Sequence, residues 1–155
     1  MKKLFYLLLL LPLGFCLSCK DDNDLKSPVD MTLTLSGVTQ VDNNFYTVAG
    51  ENITIEALNV KSVGGQNAAV TNLTFFVDGY PLIPSFSEES TFSFSTENLA
   101  PGTHTIGING NLLQVDSSIQ VFAVTYNFNV VDSQENLPAG APDFGSYSQT
   151  IRLSN

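Results

Sequence analysis

The sequence predicts an all-β protein: an antiparallel sandwich of about seven strands, preceded by a cleaved signal peptide. Three observations lead there. Past residue 30, apolar and polar residues alternate with period two in short runs, and no stretch carries an apolar stripe at helical spacing. Clusters of Gly, Pro, Asn and Ser separate the runs at the intervals of a sandwich. Residues 1–18 stand apart, with a basic start and a continuous apolar stretch.

In chain order, Lys2 and Lys3 come first, then apolar residues 4–17, then Ser18-Cys19 and the string Lys20-Asp21-Asp22-Asn23-Asp24. The apolar run holds Pro12 and Gly14 and falls short of the roughly 20 residues of a spanning helix. Cys16 follows bulky Phe15, whereas Cys19 follows small Ser18, which favours a cut before Cys19. This arrangement resembles a bacterial lipoprotein signal peptide, although Cys16 stands three before the cut where that family usually has Leu. The Cys19-Lys20-Asp21-Asp22 segment resembles the export signal of Bacteroidetes-type surface lipoproteins. The resemblance implies a lipid on Cys19 that attaches the chain to the membrane, at the outer membrane and facing outward.

The 137 residues after position 18 make one domain by length. Loss of Lys2 and Lys3 takes the formal charge from −9 to −11, which argues against nucleic acid and against adhesion to anionic lipid by charge. With Cys16 removed and Cys19 acylated, no thiol remains for a disulfide or a metal, so packing must supply stability. Residues 19–30 are polar and contain Pro28, and they read as a flexible tether.

The sandwich is expected over residues 31–132. Leu33 and Leu35 share one face, as do Ile53, Ile55 and Ala57, then Leu73, Phe75 and Val77, then Phe92 and Phe94. The longest run is Phe122, Val124, Tyr126, Phe128 and Val130. Asp78-Gly79 suits a tight hairpin with positive φ at both central residues, and Pro81 and Pro84 mark the returning strand as an edge. Pro101-Gly102 turns into a strand from Thr103, while Asn109-Gly110 fits either a hairpin or a bend in a longer strand. Residues 133–155 form a tail in which Tyr147, Gln149, Ile151 and Leu153 alternate with polar residues, a candidate extra edge strand.

Phe75-Phe76-Val77-Asp78-Gly79, Phe92-Ser93-Phe94 and Leu99-Ala100-Pro101-Gly102-Thr103-His104-Thr105-Ile106 together resemble bacterial immunoglobulin-like domains of exported proteins. The resemblance implies an immunoglobulin-like sandwich without the Cys…Trp…Cys core, and it implies no activity, since the fold hosts many.

His104, the single histidine, shares a face with Ile106 and Ile108 and reads as a half-buried strand-end residue with its ring nitrogens on backbone. No Gly-x-Ser-x-Gly elbow accompanies it, and one His without free Cys supplies no usual zinc set. The carboxylates of Asp42-Asn43-Asn44, Glu88-Glu89 and Asp116-Ser117-Ser118 read as solvated turn residues rather than calcium or glycosidase groups. Phe45, Tyr46, Tyr80 and Phe86, with the loop containing Gly64 and Gly65, are the candidate binding loops for a glycan or protein partner; the tail aromatics Phe144 and Tyr147 lie beside loops as well. The expectation is a lipid-anchored binding or structural module of the cell envelope, not an enzyme, with no cofactor or metal. The alternative class is a carboxylate-based carbohydrate-active enzyme.

Overall fold

The computed structural model describes residues 27–65, 67–85, 91–115 and 119–154. The described residues are all-β, as expected, but with nine strands rather than about seven. They are β1 (Val29–Val41), β2 (Asn44–Val48), β3 (Asn52–Ser62), β4 (Ala68–Val77), β5 (Tyr80–Ser85), β6 (Phe92–Ser95), β7 (Gly102–Gln114), β8 (Gln120–Val131) and β9 (Gly145–Leu153). One turn of 3-10 helix lies at Gln134–Asn136, and no α-helix occurs among the described residues. The two additions are β2, whose Phe45-Tyr46 pair reads as loop in the sequence, and β9, formed by the tail.

The strands follow one hydrogen-bonded order, β5-β4-β7-β8-β2-β1-β3-β6, with β9 added on β1. The sheet folds on itself into a sandwich, nearly closed like a barrel: β9, β1, β3 and β6 make one layer and β5, β4, β7, β8 and β2 the other. β1 closes one side. Residues 29–38 of β1 pair antiparallel with β3 and β9, whereas Thr39 to Val41 pair antiparallel with β2, itself parallel to β8. The Gln114 side-chain amide of β7 donates to Ser62 Oγ of β3 at 3.3 Å, so both strands run down to the same end. It follows that β1 climbs in one layer and descends in the other, doubling over at Gly37 and Val38. Gly37 has φ 76°, and a Cβ there would lie 2.0 Å from the Asn52 carbonyl oxygen.

Two of the register shifts are bulges in β4 and β3 that set which of their residues face inward. Between Thr71↔Asn111 and Thr74↔Asn109, β4 has two residues where β7 has only Gly110, and Asn72 takes φ 53°. Asn109-Gly110 is therefore no hairpin. β7 runs straight through it, and a Cβ at Gly110 would press within 3.0 Å of the Leu73 and Phe122 side chains. The second bulge lies at Glu56, between the pairs Thr34↔Ala57 and Leu35↔Ile55. It reverses the inward phase of β3, so Leu58 is buried in place of Ala57, which corrects the simple alternation read from the sequence.

The core lies between the layers, where Leu33, Ile53, Phe75, Ile106, Tyr126 and Phe128 are buried as their alternation requires. Tyr126 also links the layers, its hydroxyl donating to the Met31 carbonyl at 3.0 Å. Phe92 and Phe94 are only half-buried, because β6 is a four-residue edge strand. Their rings continue a row from Phe75 (6.5 Å) through Phe92 and Phe94 (6.3 Å) to Phe128 (6.1 Å), lying across the side that β1 leaves open. Phe76 faces outward but is also half-buried, over Gly107 of the neighbouring strand. The fold begins earlier than expected: Val29 and Met31 are both fully buried and paired, and Ser27 is hydrogen-bonded to Ser62 and Gln114.

Candidate functional site

The sandwich has two ends. Ser27, Ser62 and Gln114 mark the entry end, where the chain comes in, and the turns at Asp78-Gly79 and Pro101-Gly102 mark the far end. The most organised polar cluster is at the far end and centres on His104 and Asp78.

Asp78 sits in the two-residue turn between β4 and β5, with φ 50° at Asp78 and 81° at Gly79, as the Asp-Gly pair requires. The turn leaves its carboxylate beside β7. Oδ1 accepts the Thr105 backbone N–H at 2.9 Å and the Thr105 hydroxyl at 3.3 Å, while Asp78 N–H donates to the Thr105 carbonyl at 3.1 Å. Oδ2 faces His104 Nδ1 at 2.6 Å, and His104 Nε2 lies 2.6 Å from the Ala100 carbonyl. The imidazole also packs against the Phe128 ring, with centroids 5.5 Å apart.

Both partners of the ring are acceptors, so each nitrogen donates and the imidazolium is the form that fits. Burial works against its charge, but the Asp78 carboxylate and the Ala100 carbonyl outweigh it and raise the His104 pKa above 6.5. Burial likewise opposes the Asp78 carboxylate, and the hydrogen bonds from His104 and Thr105 prevail and lower its pKa. Neither ring nitrogen keeps a free lone pair toward solvent. What this arrangement does is clamp the β4–β5 turn and the segment before β7 onto the body of β7. The expectation that His104 supports the fold through its ring is met in part: one nitrogen is on backbone, the other on a carboxylate.

The candidate binding residues do not come together. Phe45 is fully buried in β2 against the core and is not a loop residue, because Phe45 and Thr47 form the inward face of a strand paired with β8. Tyr46 points the other way and is half-buried. Gly64 and Gly65 lie at the entry end, where a Cβ on Gly64 would stand 2.9 Å from the Ser27 Cβ, so close packing accounts for this glycine. Tyr80 lies at the far end and is exposed. The tail aromatics sit elsewhere, Phe144 partly exposed and Tyr147 donating its hydroxyl to the Asp143 carbonyl at 2.8 Å. Cys19, Phe86, Glu88, Glu89 and Asp116 to Ser118 lie outside the described residues.

Asp42 and Asn43 form a two-residue turn with φ 49° and 64°, in keeping with their reading as turn residues. Among the described residues no group of three or more His, Cys, Asp or Glu side chains is positioned to hold a metal ion. No family model matches the chain, and no curated protein matches it.

Proposed function

We propose that the protein is a lipid-anchored module of the cell envelope, held at the outer membrane through Cys19 and acting by binding a glycan or protein partner or by holding structure. The observation that carries this reading is Ser18-Cys19 behind a basic start and a 14-residue apolar run, with Cys19 only eight positions ahead of Ser27, the first described residue. On this reading the far end, with Tyr80 and the Asp78–His104 clamp, is the part directed away from the membrane. The finer fold reading is an immunoglobulin-like sandwich. Support comes from the strand order and from the parallel pairing of β2, early in the chain, with the late strand β8.

Mass spectrometry of protein extracted from membranes tests the anchor. The expected result is a chain beginning at an acylated Cys19, with residues 1–18 absent. Cys19→Ser should abolish acylation and leave the leader uncut. An intact Met1 in the native protein, or an unmodified Cys19 in a freely released form, overturns the proposal.

A further inference from the structure

Among the described residues four apolar side chains at the entry end stand exposed: Val63, Val115, Ile119 and Val121 are between 50% and 84% exposed. Hydrogen bonds bring the segments that carry Val63 and Val115 to this end, around the incoming chain. Val63 N–H donates to the Pro28 carbonyl at 2.9 Å, Val115 N–H to the Asn67 carbonyl at 3.3 Å, and the Gln114 amide to Ser27. Val121 extends the group onto the outer face of β8, on the same side as half-buried Leu113 of β7. A cluster of this kind on one end marks a contact surface rather than scattered exposure.

Two further observations identify the occupant. The first is chain length. Seven residues separate Cys19 from Ser27, and the eight steps between them reach at most roughly 26–29 Å when fully extended. The second is the distribution of charge. After position 18 the chain holds four Lys and Arg residues: Lys20 and Lys26 precede Ser27 in sequence, and Lys61 and Arg152 flank Asp30 where β3 and β9 meet the start of β1. All four therefore belong to the entry end or to the segment leading into it, where Asp21, Asp22, Asp24, Asp30 and Asp116 accompany them in sequence, so this part of the chain is close to neutral and suits a zwitterionic bilayer. The far end carries Glu51, Asp78, Glu97 and Asp132.

We infer that the entry end is a membrane-contacting surface on which Val63, Val115, Ile119 and Val121 enter the interfacial region of the bilayer that holds the Cys19 lipid. The inference rests on the proposed anchor. Four such side chains bind a bilayer weakly by themselves, and the tether makes the contact effective by keeping the local lipid concentration high. Contact at this end holds the far end outward.

The test uses the acylated full-length product. Its Cys19 is blocked by lipid, so an introduced cysteine is the single free thiol. Val121→Cys, Ile119→Cys and Tyr80→Cys are each labelled with an environment-sensitive fluorophore and reconstituted into phosphatidylcholine vesicles. The expected result is a blue shift and quenching by brominated lipid at positions 119 and 121, with the label at 80 remaining in water. Water-like emission at 119 and 121 on vesicle-bound protein overturns the inference and leaves the anchor standing. Emission shielded before reconstitution, together with a dimer in light scattering, assigns the surface to a second copy and also overturns it. An unmodified Cys19 in the mass spectrum removes the anchor, and the inference with it.

Discussion

Replacing Gly37 by Ala should be among the most damaging single-methyl changes in the molecule, and its cost divides into two parts. The first is conformational, since φ 76° costs an L-residue about 1–2 kcal/mol. The second is spatial. The new Cβ would lie 2.0 Å from the Asn52 carbonyl oxygen and 3.2 Å from its carbon, whereas real Cβ contacts stay beyond 3.0 Å, so the backbone must shift by about 1 Å. That shift falls where β3 starts and pairs with β6 through Asn52↔Ser95 and Ile53↔Phe94. Two weakened ladder bonds at about 1 kcal/mol each bring the total to about 3–4 kcal/mol, against a stability of about 5–15 kcal/mol for a domain of ordinary size. Gly50→Ala is the matched control: φ is 90°, but nothing lies within 4 Å of the added methyl, so only the conformational cost of about 1–2 kcal/mol applies. Urea titration of the two variants, with slopes checked for equality, gives the difference directly. If Gly37→Ala costs no more than Gly50→Ala, β1 does not double over against the start of β3 as described.

His104→Gln should cost about 1–2 kcal/mol, with the ion-pair part kept small because the Asp78 carboxylate is about a third exposed. Since the folded pKa of His104 is raised, its contribution is complete below 6.5 and is lost as pH rises through the raised value; that of Asp78 is present above 3.8 and is lost as pH falls through its lowered value. The difference between native and variant midpoints should thus be largest between these pH values and shrink above them, and a difference that grows from pH 6 to 9 contradicts the assignment. Phe94→Ala should cost about 2–4 kcal/mol, less than a fully buried Phe because β6 is an edge, and Phe76→Ala roughly 1 kcal/mol, as it loses a contact with Gly107 on the outer face. Equal losses in a denaturant titration would mean that the outer face of β4 carries more of the stability than its packing indicates.

Much of the fold was legible because period two survives wherever one face is dry and the other wet. Phe122 through Val130 lie inward as the alternation requires, and Asp78-Gly79 forms the turn that its residue types demand. The misreadings come where pairing inserts a residue. The bulge at Glu56 transfers the inward position from Ala57 to Leu58, and β2 escaped notice because five residues with Thr47 facing inward give too short and too polar an alternation. The far-end cluster was half legible. His104 was placed by the run it shares with Ile106 and Ile108, but Asp78 showed only as a turn residue. Their meeting depends on the β4–β7 register, which the bulge at Asn72-Leu73 opposite Gly110 sets, and the single sequence signal of that bulge is the three-residue step from Val70 to Leu73 between inward positions.

The position of β1 between β3 and β9 governs how the molecule responds to being pulled. If a partner held at the far end drags on the chain while the membrane holds the segment before Ser27, the force enters along the axis of β1. Its ladder bonds to β3 and β9 run across that axis on both sides. They would stretch together as a block instead of opening one after another, and the tyrosine bridge from Tyr126 to the Met31 carbonyl adds resistance from the opposite layer. Because β9 ends at Leu153 opposite Val29, the same extension applied beyond Leu153 would pull on a strand that is bonded, among the described residues, along one edge. The domain should therefore withstand a larger load applied ahead of β1 than one applied beyond β9.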